Sequence, residues 1–167
     1  YDKKSNFYQT DKPETILKLM HKIDKEQLQF HYLVIDTLNG VMVGDEMRRL
    51  KEKGYDKWMD LAQSVYEIVV YANAMRDDLT VILVAHTQTE DDNNGKTFTR
   101  IKTNGKKLNK IALESKLSIV LLAKCVDGRY IFETKANQST AKTPMGMFEE
   151  PEIDNDIMTV IKAAEEY

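Results

Sequence analysis

The sequence predicts an α/β protein whose sheet begins with parallel strands and ends in an antiparallel hairpin. Two short apolar runs, at residues 32–35 and 80–85, lack alternation, which is typical of strands buried on both faces. Between them, residues 56–77 carry apolar side chains at three-and-four spacing and predict a long helix. Strand, helix and strand then form a parallel crossover unit. The Asp127-Gly128 pair predicts the tight turn of the later hairpin.

The first part of the chain contains one further helix and one irregular region. An aromatic, strand-like piece at residues 6–9 precedes an amphipathic helix of about three turns, for which Thr10 and Asp11 are cap candidates. Residues 38–55 carry three glycines and are interpreted as an irregular loop with a short helical piece. Asp56 is the expected cap of the long helix.

The second part begins with residues 86–103, which are polar, lack periodicity and predict a long flexible loop. A loop of this length inside a compact domain is usually functional. The elements predicted after it are a helix at 105–116, a strand at 118–124, a hairpin strand at 129–134, a connector at 135–153, and a last helix capped by Asp154 or Asn155.

Length and composition limit the class of protein to which this chain can belong. A chain of 167 residues is long enough for one domain with a real core. Its net charge of -3 gives no overall attraction to nucleic acid, so any such contact requires local basic segments. The single cysteine excludes an internal disulfide framework and suits a reducing cytoplasm. No apolar run approaches the roughly 18 residues of a membrane span. Because the chain starts at Tyr1, we expect it to be a piece of a longer protein.

The strongest candidate site lies where the first apolar run ends in Asp36 and Thr37. An ionised carboxylate is costly in a core, so this acid is expected at the carboxyl edge of the sheet, where open α/β folds bind ligands. In nucleoside triphosphatases the same pattern is the Walker B element, whose Asp holds magnesium beside the phosphates. The alternative is an acid that merely caps the following turn.

His86 follows the second strand and is expected beside Asp36, because parallel neighbours end at the same edge. There it could sense a γ-phosphate, with Gln88 assisting; the alternative is a surface histidine. Gly95-Lys96-Thr97 is not a phosphate-binding loop, because position 90, where another glycine is required, holds Glu90. No complete phosphate loop occurs in the sequence.

A local basic character marks two segments as candidate contacts to single-stranded DNA, where charge and stacking dominate. The alternative is that both are solvated surface. The candidate residues are Arg48, Arg49, Lys96, Phe98, Arg100, Lys102, Lys106 and Lys107.

Together these pieces resemble the core of the RecA/RadA recombinase superfamily, and most closely the phage-encoded RecA-like ATPases of the single-strand-annealing (Sak) type. YLVIDTL resembles the family's Walker B strand, and TVILVAHT resembles its sensor strand, with His86 at the position of the family's Gln. Residues 88–104 fall where the family has its second DNA-binding loop. The resemblance implies a RecA-like three-layer sandwich with a mostly parallel sheet, binding ATP and Mg²⁺.

The resemblance also implies roles for residues outside the central strands. FETKANQSTAKTPMGMF resembles the family stretch whose lysines reach the neighbouring subunit's nucleotide, which makes Lys135 and Lys142 candidates for that role. The family's Walker A loop and catalytic Glu would both precede Tyr1. We therefore expect the 167-residue chain alone to be inactive as an ATPase, and magnesium-dependent ATP turnover by it would contradict this expectation.

The leading functional hypothesis is an ATP-dependent DNA recombination or single-strand annealing protein. It implies hydrolysis at subunit interfaces of a ring or filament, single-stranded DNA and a single-strand-binding protein as partners, and the cytoplasm of a phage-infected or prophage-carrying bacterium as location. Two alternatives stay open: a replicative-helicase motor of the DnaB type, and a nucleotide-free RecA-like module that only binds a partner.

Overall fold

The structure is a computed structural model that describes residues 6–91, 95–103 and 112–167. The chain divides into two compact units, the first formed by Tyr1–His86 with Lys102–Leu113 and the second by Thr87–Ile101 with Glu114–Tyr167. The expectation of a single domain over residues 1–167 stays a prediction. Within the described ranges, no helix combines the length and apolar character needed to cross a lipid bilayer.

Among the described residues, three helices contribute to the core of the first unit: α1 (Pro13–Glu26), α2 (Leu38–Arg48) and α3 (Tyr55–Ala72). Helix α3 packs against both α1 and α2. Their apolar positions recur at three-and-four spacing, so each helix buries one stripe. The buried side chains include Ile16, Met20, Leu38, Val41, Met42, Leu61, Val65, Ile68 and Val69.

The two central strands pair as predicted. Strand β1 (Tyr32–Asp36) and strand β2 (Thr80–Val84) are parallel, in a register that runs from Tyr32 opposite Thr80 to Asp36 opposite Val84. The prediction that β1 is buried on both faces is wrong. Tyr32 and Val34, which share one face, are 48% and 55% exposed, whereas Ile35 on the other face is buried. One face of this pair is therefore open in the described structure.

A polar network closes the end of α1. The Arg76 guanidinium donates to the Ile23 carbonyl at 2.6 Å, one of the last-turn carbonyls that a helix end leaves without partners. It also donates to the carbonyl of Phe30, which lies between α1 and β1. Asp24 is buried and accepts from the Arg76 amide at 2.8 Å and from the Tyr71 hydroxyl at 3.2 Å. Hydrogen bonds from Lys25 and from the Arg76 amide lower the pKa of Asp24 below its ordinary value.

The second unit begins with a hairpin of strands β3 (Thr87–Asp91) and β4 (Thr97–Ile101), paired antiparallel. The prediction of a flexible loop at 86–103 is wrong. Four threonines in these strands supply β-branched side chains that favour extended backbone. The opposed pair Thr89 and Thr99 brings its hydroxyls within 3.2 Å. The sequence did not predict this hairpin, because both of its faces carry mostly polar residues and show no apolar alternation.

A three-stranded sheet completes the strands of this unit: β5 (Leu122–Val126), β6 (Arg129–Glu133) and β7 (Glu152–Asp154), all antiparallel. The Asp127-Gly128 turn joins β5 to β6 as predicted. A 3₁₀ turn (Leu113–Lys116) precedes β5, and helix α4 (Ile157–Glu166) ends the chain.

The predicted RecA-like three-layer sandwich with a mostly parallel sheet is wrong. The described strands form three separate sheets of two, two and three strands, and only β1 and β2 pair in parallel. Each antiparallel pair is made by neighbours in sequence, whose connecting loop costs little conformational entropy to close. Periodicity identifies a strand but does not fix its partner, so the sequence could not exclude this local pairing.

Several element boundaries also differ from prediction. Residues 6–9 form no strand, and residues 38–48 form helix α2 where an irregular loop with a short helical piece is predicted. None of the cap candidates Asp56, Asp154 and Asn155 is a helix cap, because α3 starts after Gly54 and α4 after Asp156. The third strand starts at Leu122 rather than 118. Of the helix predicted at 105–116, residues 105–111 lie outside the described residues.

Two buried carboxylates organise the second unit. Glu133 accepts hydrogen bonds from Lys124 Nζ, from the Ser139 hydroxyl and from the Asn137 amide. Glu114 accepts from the Ile101 amide at 2.9 Å and the Thr140 hydroxyl at 3.3 Å. Both therefore hold the segment at 137–140.

That segment also pairs with the hairpin. The Thr99 amide donates to the Gln138 carbonyl at 2.8 Å, and the Thr140 amide donates to the Thr99 carbonyl at 3.0 Å. The free edge of β4 is thereby covered, which removes unpaired main-chain groups from that side of the hairpin.

We expect Glu133 to make the unfolding free energy depend on pH. Burial raises the pKa of Glu133, but the hydrogen bonds from Lys124, Ser139 and Asn137 outweigh burial and hold it below the ordinary value. Its contribution is therefore present above the pKa of the unfolded chain and is lost as pH falls through the folded value. Glu133→Gln should lose about 1–3 kcal/mol at pH 7, measured by urea denaturation.

The same variant should also lose less of its stability than the wild type between about pH 5 and pH 3, because one titrating carboxylate is gone. Glu165→Gln, at an exposed position on α4, is the matched control and should follow the wild type. Equal pH dependence of Glu133→Gln and the wild type would contradict the role given to this carboxylate.

Candidate functional site

The candidate site is the carboxyl end of the parallel pair in the first unit. Asp36 is the last residue of β1 and lies opposite Val84, the last residue of β2. Its carboxylate is exposed and has no hydrogen-bond or ion-pair partner among the described residues. The Asp36–Thr37 peptide bond is cis. The strand end thus presents one uncompensated negative charge at the place where the sequence predicts it.

Helix α2 begins directly after this acid. Thr37 has extended main-chain angles and is the N-cap: its hydroxyl accepts a hydrogen bond from the Gly40 amide at 3.1 Å. A capping hydroxyl satisfies one of the amides that a helix start leaves without partners. The Thr37 side chain, predicted to bind cofactor beside Asp36, is therefore used by the helix itself.

Asn39, in the first turn of α2, joins three segments of the chain. Its side chain is 6% exposed. The amide oxygen accepts from the His86 main-chain N–H at 2.6 Å, and the amide nitrogen donates to the Lys102 carbonyl at 2.7 Å. The Lys102 amide in turn donates to the His86 carbonyl at 2.8 Å. The end of β2 is thereby fixed beside the residues that follow Asp36.

His86 lies two residues beyond the end of β2, and β2 is the neighbour of β1. Asp36 ends β1 and His86 follows β2, so both lie at the carboxyl end of the parallel pair, as the sequence predicts. The His86 side chain is exposed. It is held through its main chain, which leaves the imidazole at the surface of this edge.

Asp36 is the one predicted metal ligand at this edge. Among the described residues, no group of three or more His, Cys, Asp or Glu side chains could hold a metal ion. Magnesium commonly takes one or two carboxylates and fills its remaining positions with water and substrate phosphates. Asp36 could supply one such oxygen, and the magnesium and ATP sites stay predictions.

The other predicted catalytic residues belong to the second unit. Gln88 lies on β3, where its amide donates to Glu90 Oε1 at 2.5 Å. Lys135 is exposed and donates to the Glu149 carbonyl at 2.7 Å. The main chain of Lys142 pairs with Val120 through two hydrogen bonds of 2.8 Å. The roles predicted for these three residues stay predictions.

The predicted DNA contacts on the hairpin have different surroundings. Phe98 is 39% exposed on β4, and Lys96 is exposed just before that strand. Arg100 is half-buried, with Nη1 4.0 Å from Glu90 Oε2. The Lys102 side chain is exposed. Lys106 and Lys107 lie outside the described residues.

The arginines at the end of α2 both form ion pairs within the chain. Arg48 Nη1 binds Asp11 Oδ1 at 2.7 Å. Arg49 binds Glu52 at 2.7 Å and Asp60 at 2.9 Å. A contact to DNA phosphate at either arginine would have to compete with these carboxylates.

Sequence reasoning missed Asn39, because residues 38–55 were interpreted as a loop. A signal was available: Leu38, Val41 and Met42 have the spacing of a buried helix face, and a polar amide lies among them. A polar residue in an apolar stripe indicates a side chain that satisfies buried main-chain groups. Nothing in the sequence indicated which groups those would be.

Comparison of the chain with protein-family models, with curated proteins and with solved structures finds no match.

Thr37→Ala should lower the unfolding free energy by about 1 kcal/mol, because the Gly40 amide loses its capping hydroxyl. Thr37→Ser keeps the hydroxyl and should stay within about 0.5 kcal/mol of the wild type. Urea denaturation followed by the fluorescence of Trp58, the only tryptophan, measures both variants in the first unit. If the alanine and serine variants are equally stable, the cap does not contribute.

Proposed function

We propose that this chain is part of an ATP-dependent DNA recombination or single-strand annealing protein. The observation that carries the proposal is the position of Asp36: an exposed carboxylate without a partner among the described residues, at the carboxyl end of a parallel strand. A charge left uncompensated there suits a cation that a ligand brings. The adjacent strand leads to His86, whose exposed imidazole could respond to the same ligand.

The chain's own contribution at this edge is to bind and orient. Asp36 would hold a magnesium ion, directly or through water, while Thr37 and Asn39 fix the helix start and the end of β2 around it. Bound Mg²⁺-ATP supplies a phosphoryl group whose transfer depends on charge neutralisation and positioning. Since the sequence has no complete phosphate loop, we propose that the phosphates are cradled outside these 167 residues.

The hairpin β3–β4 is the proposed surface for single-stranded DNA. Sequence-independent binding of single strands combines basic groups along the backbone with an aromatic platform for the bases. The hairpin offers Phe98 as the platform and Lys96 as an exposed cation beside it. We further propose self-association into a ring or filament, a single-strand-binding protein as partner, and action in the cytoplasm of a phage-infected or prophage-carrying bacterium.

A nucleotide-free module that binds a partner protein is the second candidate. It is favoured by the open face of the β1–β2 pair, where Tyr32, Val34 and Val84 are exposed, and by the missing phosphate loop. The two candidates differ in one measurement: only the first requires magnesium-dependent nucleotide hydrolysis that is sensitive to substitution of Asp36.

The protein encoded by the whole reading frame should therefore hydrolyse ATP with magnesium, and Asp36→Asn should reduce the rate at least about a hundredfold. The amide keeps the shape of the side chain but loses the charge that holds the metal. Asp77→Asn makes the same change at an exposed turn and should leave the rate unchanged. Equal loss in both variants, or hydrolysis unaffected by Asp36→Asn, would contradict the proposed metal role.

Phe98→Ala should weaken binding of the 167-residue chain to a fluorescein-labelled oligothymidine by roughly tenfold, since stacking on one base is worth about 1–3 kcal/mol. Fluorescence anisotropy measures the affinity. Tyr130→Ala removes an aromatic ring that is 72% exposed on strand β6 and should have no effect. Wild-type affinity should also fall as salt is raised from about 50 to 200 mM. Salt-independent binding, or equal effects of the two substitutions, would count against the hairpin.

A further inference from the structure

We propose that Asn39 is a positioning residue that joins the two ends of the hairpin β3–β4, and that DNA binding by the hairpin depends on this link. The inference rests on the proposed function in one respect, since it takes the hairpin to be the DNA-binding surface. The positioning itself follows from hydrogen bonds within the first unit. Asn39 is buried, so it would act without touching DNA.

His86 and Lys102 are the two residues that attach the hairpin to the first unit. The first pair of the hairpin ladder is Thr87 opposite Ile101, so His86 opposite Lys102 is the next position outward. One bond of a regular ladder is present there, from the Lys102 amide to the His86 carbonyl at 2.8 Å.

The second bond that an antiparallel pair of this kind makes would run from the His86 amide to the Lys102 carbonyl. In this structure both groups bind Asn39 instead: the His86 amide donates to Oδ1 at 2.6 Å, and the Lys102 carbonyl accepts from Nδ2 at 2.7 Å. The side-chain amide is thus inserted into the last rung of the ladder. The amide thus links the two attachments where a direct hydrogen bond would otherwise run.

The His86 amide and the Lys102 carbonyl together require a side-chain amide at position 39. One partner is a donor and the other an acceptor, so the side chain must offer an acceptor and a donor side by side. A carboxylate satisfies the His86 amide but faces the Lys102 carbonyl with a second acceptor. An alanine satisfies neither group, and partly buried main-chain groups without partners are destabilising.

The test compares Asn39→Asp, Asn39→Ala and the wild-type 167-residue chain. In Asn39→Asp at about pH 7.5, the new carboxylate repels the Lys102 carbonyl, and we expect about tenfold faster amide exchange in residues 87–91 and 97–101 and about tenfold weaker binding of oligothymidine. Burial raises the pKa of such a carboxyl group. Near pH 5 its protonated form donates as the amide does, so both properties should return toward the wild-type values measured at that pH.

Asn39→Ala should show the same loss at both pH values, because it has no group to protonate. Asn155→Asp adds an equal charge at an exposed position and should match the wild type throughout. Amide exchange in α3 reports the stability of the first unit, so we expect the increase in residues 87–91 and 97–101 to exceed any increase in α3. A larger effect in the hairpin separates loss of its attachment from general loss of stability.

Each part of the proposal has its own contradicting result. Unchanged hairpin exchange in Asn39→Ala overturns the positioning role. Faster exchange with unchanged DNA affinity overturns the link to DNA binding, as does a loss of affinity in Asn39→Asp that acid does not restore. If the wild-type chain binds no oligothymidine, the proposed function of the hairpin fails, while the exchange measurements still decide whether Asn39 holds it.

Discussion

The side-chain amide of Asn39 is buried and joins three segments of the first unit. Two partly buried main-chain groups need hydrogen-bond partners here: the amide of His86, which follows β2, and the carbonyl of Lys102, which follows β4. Asn39 satisfies both at once and ties the start of α2 to the end of β2. Asp36 takes no part in these hydrogen bonds, and its side chain is exposed.

The second unit uses the same principle with charged groups. Glu133 and Glu114 are buried, and each accepts hydrogen bonds from main chain and side chain around the segment at 137–140. Removing one partner from such a network leaves a buried charge without compensation, so both the carboxylate and its donors contribute to stability. The hairpin β3–β4 gains its second neighbour from this segment. Polar organisation, rather than apolar packing alone, therefore shapes the surface proposed for DNA.

The proposed functions of the two units call for opposite electrostatics. The edge at Asp36 presents negative charge, which suits a metal, whereas the exposed lysines near the hairpin suit a phosphate backbone. A net charge of -3 allows both, because neither depends on the field of the whole molecule. Arg48 and Arg49 balance Asp11, Glu52 and Asp60. Basic residues in a sequence thus identify candidates, and only their neighbours decide whether the charge is available.

The sequence by itself determined the elements whose signal is local: the apolar runs of β1 and β2, the periodic stripes of α1 and α3, the turn at Asp127-Gly128, and the placement of Asp36 and His86 at one strand end. Tertiary structure alone decided the rest. Gly40 and Gly44 lie in helix α2 despite a cost of about 1 kcal/mol each, because Thr37 caps it and Leu38, Val41 and Met42 are buried. Polar strands formed a hairpin, and sheets stayed separate, because partner choice depends on which edges meet rather than on the pattern within one strand.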